Sequence, residues 1–503
     1  MNLMMLLEMA AQGFGDRVAF KNGDDSLTYE QLFRAAGVAA RELRDCGAQH
    51  LAVLDVSSLA LPVGVFGAAW AGRPFVPLNY RLTGSELESL VGQIAPARLV
   101  TESERVGDLS GLPSTEVLAR ESFLDSARGA AQEPLEEPWA MDPDEIAILL
   151  FTSGTTGPPK AAVIRHKHLV SYILGSVEFM SADEDDATLV SVPPYHIAGM
   201  AAIASSVYSG RRIVQLANFT AEAWLDLARR ERITNAFVVP TMLARIVDRL
   251  EAEGRETADL PQLRALSYGG GKMPQAVIEK AMRFFPGVDF ANAYGLTETS
   301  STIAILGPAE HRAAMESDDP AVRRRLVSVG QPLPSVEVEI RDEEGNALGP
   351  NERGEIFVRG EQVSGEYLGK GSRLTGDGWF PTRDGGSMDA EGYLFIEGRI
   401  DDIIVRGGEN MSPGEIEDVL LEHEAIADAA VVGLPDEQWG EKVCAVVVCK
   451  AGQTASVPEL QQWVKDRLRS SRTPETIDLW DELPYNETGK LLRRKVRAAL
   501  MGG

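Results

Sequence analysis

The stretch IAILLFTSGTTGPPKAAV, residues 146–163, carries an apolar run straight into a loop of glycines, hydroxyls and one lysine. An uninterrupted apolar run of this length reads as a strand covered on both faces, as in parallel sheets. Thr152, Ser153, Gly154, Thr155, Thr156, Gly157 and Lys160 then crowd one short connection. Glycines let backbone N–H groups approach an anion, hydroxyls add donors, and the lysine adds a full charge. The loop is not a Walker A sequence, because its glycine spacing is wrong and Ala161 follows the lysine where Ser or Thr is required. A surface turn of the same composition would read alike, so the loop alone does not decide a function.

Outward from this loop the same texture repeats. LAVLDV (51–56), FVPL (75–78), ARLV (97–100), TLVSV (188–192), RIVQL (212–216), AFVV (236–239) and LSYG (266–269) are strand-length apolar runs separated by helix-period segments. Thr28 and Gln31 form a capping box before a helix that stops near Gly47, and Thr83 with Glu86 is expected to repeat the device. Strands alternating with helices predict an α/β domain of mostly parallel sheets flanked by helices. After about residue 325, VEVEIRDEEGNALG and GEIFVRG read as a small antiparallel β unit. Near residue 400 a smaller α+β C-terminal domain begins, with Ser412, Pro413 and Glu415 expected as cap, first-turn proline and capping-box partner of its first helix. The expected division is an N-terminal domain 1–398, a hinge 399–403 and a mobile C-terminal domain 404–503.

Composition narrows the function. The 503 residues hold 75 acidic and 49 basic side chains, a net charge of −26. Such a surface repels nucleic-acid backbones and anionic membranes, so nucleic acid is not an expected partner. Three cysteines, Cys46, Cys444 and Cys449, make no disulfide framework and no zinc spacing. The apolar region from Val56 to Ala71 is broken by Ser57, Ser58, Pro62 and two glycines, which excludes a transmembrane segment there. The N-terminal MNLMMLLEMAAQG has no basic flank and contains Glu8, unlike a signal peptide. The expectation is a reduced, cytoplasmic protein.

Four further stretches accompany the loop in order: YGLTE (294–298), FPTRD (380–384), GRIDDIIVRGGENMSPGEIE (398–417) and NETGK (486–490). With them the chain resembles the adenylate-forming superfamily of acyl-CoA synthetases, peptide-synthetase adenylation domains and luciferases. The resemblance implies a triphosphate loop that includes Thr155 and Lys160. It implies an adenine sandwiched between Tyr294 and the run Gly269, Gly270 and Gly271, with Asn292 and Gly295 beside it. Thr297 would donate to the α-phosphate and Glu298 would hold Mg²⁺ through oxygen. Asp384 would accept from the ribose hydroxyls and Arg399 would contact ribose and phosphate. Asp401 would be the hinge, Gly407 and Gly408 a thiol tunnel, and Lys490 the catalytic lysine. His196, Ile197, Gly199, Met200, Val239 and Met242 would line an acyl pocket. Taken one at a time, most of these have plainer readings: a solvated Glu298, a core-bonded His196, a surface Lys490.

Two departures stand out. The family usually has Thr-Gly-Asp where this chain has Thr382-Arg383-Asp384, and an arginine at positive φ costs roughly 1–2 kcal/mol. Arg406 replaces a residue that is usually small and polar. A second TGD, Thr375-Gly376-Asp377, is set aside because Gly-Trp-Phe follows it instead of preceding it. Arg323, Arg324 and Arg325 read as a solvated helix face or as a contact for a CoA phosphate. The implied activity is an ATP-dependent acyl-CoA synthetase with Mg²⁺, using ATP and CoA on a small-molecule carboxylic acid. IAGMAAIASS lacks the aspartate that pairs with an amino-acid amine, so the acid is expected to be hydrophobic and fatty. A ligase that loads a carrier protein, a luciferase-like oxygenase and a degenerate nucleotide-binding regulatory protein are the alternatives, and a homodimer is open.

Overall fold

The computed structural model describes residues 1–129, 138–152, 159–407, 409–436, 438–486 and 491–502. Among them, two large sheets form the N-terminal part. In the first, Val18–Asn22, Arg212–Gln215, Ala187–Val190, Asn235–Val238, Ala265–Gly269 and Asp289–Leu296 run parallel, and Asp25–Thr28, Ser301–Leu306 and Gln331–Pro332 extend it antiparallel at its two ends. In the second, Thr115–Ala119, Ala97–Thr101, His50–Leu54, Phe75–Pro77 and Ile146–Thr152 run parallel. It then turns antiparallel through Lys160–Arg165, Glu366–Tyr367 and Gly371–Ser372. The mostly parallel α/β domain read from the apolar runs is thus the observed one.

The apolar segment that resembles a short membrane span is the helix Ala60–Ala71, buried along its whole length. At 12 residues it extends about 18 Å, well short of a bilayer core. Among the described residues no helix is long and apolar enough to cross a membrane. The N-terminal apolar stretch is also core: in the helix Met4–Phe14, Met4, Leu6, Leu7 and Ala10 are buried.

The antiparallel unit is a four-stranded sheet of Val336–Arg341, Gly354–Gly360, Phe380–Met388 and Leu394–Arg399. The C-terminal domain has its own sheet, in which Ile426–Asp436 pairs with Gly440–Cys449, flanked by Ile404–Arg406, Glu409–Met411 and Thr476–Leu479. It also has a separate apolar core, with Ile404, Met411, Ile416, Leu420, Val431, Val443, Val447, Leu460 and Val464 together. Cys444 and Cys449 share one strand five residues apart, roughly 17 Å along it, far beyond disulfide reach.

Helix starts divide by where their partners lie. Thr28 and Gln31 close the expected capping box on the helix Tyr29–Asp45, and Gly47 adopts positive φ just past its end. Thr83 caps the helix Gly84–Ile94 by position, but its side chain makes no capping bond, so the expected box with Glu86 is absent. The helix Pro413–Leu421 begins where Ser412 and Pro413 place it, yet its box is absent too. The Ser412 hydroxyl donates instead to the Glu397 carbonyl at 2.6 Å, and Glu415 pairs with Arg472 at 2.8 Å. For Ser412 and Glu415 a tertiary partner outcompetes the local one.

Candidate functional site

The strand Ile146–Thr152 and its antiparallel neighbour Lys160–Arg165 form the two arms of the glycine-rich loop, with Thr152 opposite Lys160. The Thr152 hydroxyl donates to the Lys160 carbonyl at 3.3 Å and closes the base. Ser153, Gly154, Thr155, Thr156 and Gly157 lie outside the described residues, as do Gly408 and Lys490.

The strand Glu366–Tyr367 pairs with the outer arm of this hairpin, Tyr367 opposite Ala162, and the Leu368 N–H donates to the Ala161 carbonyl at 2.9 Å. From that position the Tyr367 hydroxyl donates to the Glu298 carboxylate. The Glu298 carbonyl in turn accepts from the Ser364 and Gly365 N–H groups at 2.8 and 3.2 Å. YGLTE, from the first sheet, is therefore stitched to the edge of the second sheet, beside the hairpin that carries the loop. Burial, and then the Glu298 charge, raises the Tyr367 hydroxyl well above the usual phenol range, so it stays a donor.

Asp384 and Arg399 are register partners in the four-stranded sheet. The Asp384 carboxylate accepts from Tyr294 Oη at 2.6 Å and pairs with Arg399 Nε at 3.0 Å. Arg399 also donates to the Thr382 carbonyl at 2.9 Å, and the Asp384 N–H donates to the Thr382 hydroxyl at 3.1 Å. A carboxylate offers about four acceptor positions, and these two contacts leave room for further donors. Burial, followed by the Asp384 charge, raises the Tyr294 hydroxyl far above its ordinary value, which keeps it protonated.

The glycine run meets this cluster edge to edge. Gly269 lies opposite Ala293 across the parallel pair, and a Cβ on Gly269 would sit 2.1 Å from the Ala293 carbonyl oxygen. Only glycine allows that approach, and it sets the run beside Tyr294. Gly270 follows at φ +82°. Asn292 spends its amide on the Ser328 carbonyl at 2.9 Å, so it acts as a strut between segments. Gly295 is packed against the Ser301 backbone, where a Cβ would clash at 1.8 Å. Thr297 opens the short turn Thr297–Thr299 next to Glu298.

Of the acyl-pocket candidates, Met200, Val239 and Met242 are buried in one large apolar core and Ile197 packs against it. Val239, just before the helix Pro240–Ala252, lies 3.7 Å from where a Gly270 Cβ would be, and Met242 Sδ is 4.0 Å from the Ser191 hydroxyl. His196 caps the helix Ile197–Ser209, which carries Ile197, Gly199 and Met200, and Gly199 faces the Pro193 carbonyl. The alternative of a core-bonded histidine is not met at Nε2, which is buried without a hydrogen-bond partner among the described residues. Burial pushes its pKa down to about 4, so the ring is neutral at neutral pH.

At the junction of the domains, Asp401 sits in the turn Ile400–Asp402 between the strands Leu394–Arg399 and Ile404–Arg406. Arg383 adopts φ +62°, the conformation a glycine would favour, and two carboxylates attend it. Its N–H donates to Glu355 at 3.0 Å and its guanidinium pairs with Asp401 at 2.5 Å. Gly407, at φ +60°, donates its N–H to the Trp439 carbonyl at 2.7 Å. The guanidinium of Arg406 lies over the Trp439 ring at 5.0 Å and pairs with Glu475 at 3.0 Å. Tyr485 and Leu491 form an isolated antiparallel bridge. The triple arginine is partly exposed and partly engaged: Arg323 pairs with Glu279 at 3.1 Å, the exposed Arg324 stacks on Phe395, and Arg325 stacks on Tyr393.

Sequence reasoning missed Tyr367, which lies in no motif, and Lys272, which directly follows the glycine run but whose partner Asp418 is 146 residues away. Among the described residues no group of three or more His, Cys, Asp or Glu side chains could hold a metal alone. Magnesium commonly takes one or two carboxylates and completes its shell with water and substrate phosphates. Glu298, with Tyr367 donating to one of its two carboxylate oxygens, fits that habit.

A family model described as AMP-binding enzyme matches residues 7–368, and the AMP-binding enzyme C-terminal domain matches 415–490. The chain is 34% identical over 492 residues to fatty acid–[acyl-carrier-protein] ligase ScoC of Streptomyces coeruleorubidus, covering 95% of this chain and 92% of that one. It is 31% identical over 502 residues to indoleacetate–CoA ligase of Aromatoleum aromaticum, covering 96% and 94%. Its fold is similar to o-succinylbenzoate CoA synthetase (MenE) from Bacillus subtilis. In complex with the acyl-adenylate OSB-AMP, that enzyme gives a TM-score of 0.85 at 29% identity, covering 98% and 97%. In complex with ATP and magnesium ion it gives 0.83 at 29% identity, covering 97% and 98%. Both models, nearly full-length relatives and the shared fold agree: the chain belongs to the AMP-binding enzyme family, in the adenylate-forming superfamily.

Proposed function

We propose that the protein is an ATP-dependent acyl-CoA synthetase that activates a hydrophobic, fatty carboxylic acid. A carboxylate oxygen attacks the α-phosphorus of ATP, the bond to the β-phosphate breaks, and pyrophosphate leaves an acyl-adenylate. A CoA thiolate then attacks the acyl carbon, the thioester forms, and AMP departs. The observation that carries the reading is the stitching of Glu298 to Tyr367, beside the phosphate-loop hairpin, while Tyr294 of the same YGLTE segment is bonded to the Asp384–Arg399 pair.

In this proposal the roles follow chemistry already described. Tyr294 and Gly269–Gly271 hold the two faces of the adenine, Asp384 accepts from the ribose hydroxyls, and Arg399 supplies charge close to it. Thr152–Gly157 and Lys160 hold the phosphates, Thr297 donates to the α-phosphate, and Lys490 stabilises the in-line displacement. Positioned positive charge and donors can account for several kilocalories per mole of such a barrier. Mg²⁺ bound through Glu298 would neutralise phosphate charge. Asp401 belongs to the hinge 399–403, and Gly407 and Gly408 pass the thiol after the C-terminal domain turns.

The buried Met200, Val239 and Met242 favour an apolar acid. Each methylene buried contributes ~0.8 kcal/mol, about fourfold in binding, so neighbouring chain lengths are poorly resolved without a steric floor. A second reading keeps the adenylate chemistry and replaces CoA by an acyl carrier protein, and the likeness to the ScoC ligase favours it. Pyrophosphate exchange over a panel of fatty, aryl and short polar acids, with CoA or holo carrier protein added, tests both. Fatty-acid-dependent exchange with thioester formed only with CoA is the expected result. Exchange driven best by short polar acids would overturn the substrate, and turnover only with carrier protein would overturn the acceptor.

A further inference from the structure

The missing capping box of the helix Pro413–Leu421 marks a second built feature. Its N-terminal half is docked on the N-terminal part by contacts from the cap residue Ser412 and from Gly414, Glu415 and Asp418. Ser412 Oγ donates to the Glu397 carbonyl at 2.6 Å. Gly414 packs so closely that a Cβ would stand 3.2 Å from the Glu397 carbonyl oxygen and 3.3 Å from Lys272 Nζ. Lys272 Nζ donates to the Gly414 carbonyl at 3.2 Å and pairs with Asp418 at 2.5 Å. Arg353 lies between Glu397 at 3.0 Å and Glu415 at 4.0 Å. The helix itself belongs to the C-terminal core through Ile416, Val419 and Leu420.

Lys272 is the residue directly after Gly269, Gly270 and Gly271. One backbone step therefore separates the glycine run from an ion pair to the other domain. Of the local cap, Ser412 is turned outward to this seam at the expense of the helix end, while Glu415 pairs with Arg472 of its own domain at 2.8 Å. That sacrifice is expected where a helix terminus has a second task.

From this juxtaposition we infer that the N-terminal half of the helix Pro413–Leu421 is a docking element that ties the orientation of the C-terminal domain to the glycine run, with Lys272 as the positioning residue. The consequence for turnover rests on the proposed two-step function, while the docking itself does not. Filling the nucleotide site would then bias the domain orientation through Lys272. A domain turn would have to break the Lys272–Asp418 and Ser412–Glu397 contacts together.

The test uses the full chain carrying Lys272→Ala, Asp418→Ala, and the exchange Lys272→Asp with Asp418→Lys. Two readouts are taken: the rate of adenylate formation against the rate of acyl transfer from supplied acyl-adenylate, and deuterium uptake over residues 409–421. Each single variant should shift the ratio of the two rates about two- to fivefold in one direction, the range of a half-exposed ion pair. Each should also speed deuterium uptake, and the exchange variant should return both readouts toward the parent. In the parent, raised salt should mimic Lys272→Ala. Unchanged ratio and uptake in both single variants would overturn the inference, as would an exchange variant no closer to the parent than either single one. If no acid supports either half-reaction, the functional reading fails and deuterium uptake still decides the docking.

Discussion

Replacing Arg383 separates backbone strain from side-chain pairing at one position. At φ +62° a residue with a Cβ is held against a penalty of roughly 1–2 kcal/mol that glycine escapes. The guanidinium recovers part of it by pairing with Asp401 at 2.5 Å, but both side chains are about half exposed, which limits the pair to at most about 1 kcal/mol. The hydrogen bond from the Arg383 N–H to Glu355 survives any substitution that keeps the backbone in place. Arg383→Ala keeps the strain and loses the pair, so it should destabilise by up to about 1 kcal/mol. Arg383→Gly loses the pair and the strain, and glycine's greater freedom in the unfolded chain takes back about 0.5–1 kcal/mol. Its net effect should lie between about 1 kcal/mol destabilising and about 1.5 kcal/mol stabilising, and the glycine variant should stand above the alanine variant by up to about 1.5 kcal/mol. Urea midpoints of the N-terminal transition at constant m give the comparison. An alanine variant as stable as the parent, with a glycine variant less stable than both, would refute the reasoning.

Tyr294→Phe removes the hydroxyl that donates to Asp384 and should weaken nucleotide binding about threefold to tenfold while the aromatic face remains, measured by AMP titration. Lys490→Ala should lower adenylate formation by 10²–10³ yet leave thioester formation from supplied acyl-adenylate near the parent rate, and equal loss in both steps would count against its role. The buried His166, His168 and His196 each have a pKa pushed down to about 4, so the folded state favours the neutral rings. Their contribution is fully present above about pH 6.5, the unfolded value, and is lost as pH falls from there toward 4. Unfolding free energy should drop over that window, and less steeply in His166→Gln; an unchanged slope would contradict the assignment.

How much could be read in advance depended on where each residue's partner lies. Strands buried on both faces, such as Ile146–Thr152 and Ala97–Thr101, announce themselves because both alternating sets of side chains are largely apolar. The Thr28–Gln31 box is legible because donor and acceptor are three residues apart. Thr83 and Ser412 satisfy the same local rule and fail it, Ser412 because a carbonyl from the four-stranded sheet lies within reach. The Arg383 anomaly is visible in sequence, but its compensating partners Glu355 and Asp401 lie 28 and 18 residues away. Tyr367 carries no motif signal at all, and only the edge pairing of its strand delivers it to Glu298.

The account rests on distant segments meeting around one nucleotide, and calorimetric titration with MgATP reads that meeting most directly. The parent chain should bind with a stoichiometry of one. Asp384→Ala, which removes a charged acceptor, should lose about 10- to 100-fold in affinity without a change in fold. No heat of binding in the parent, or an Asp384→Ala chain that binds as tightly as the parent, would contradict it.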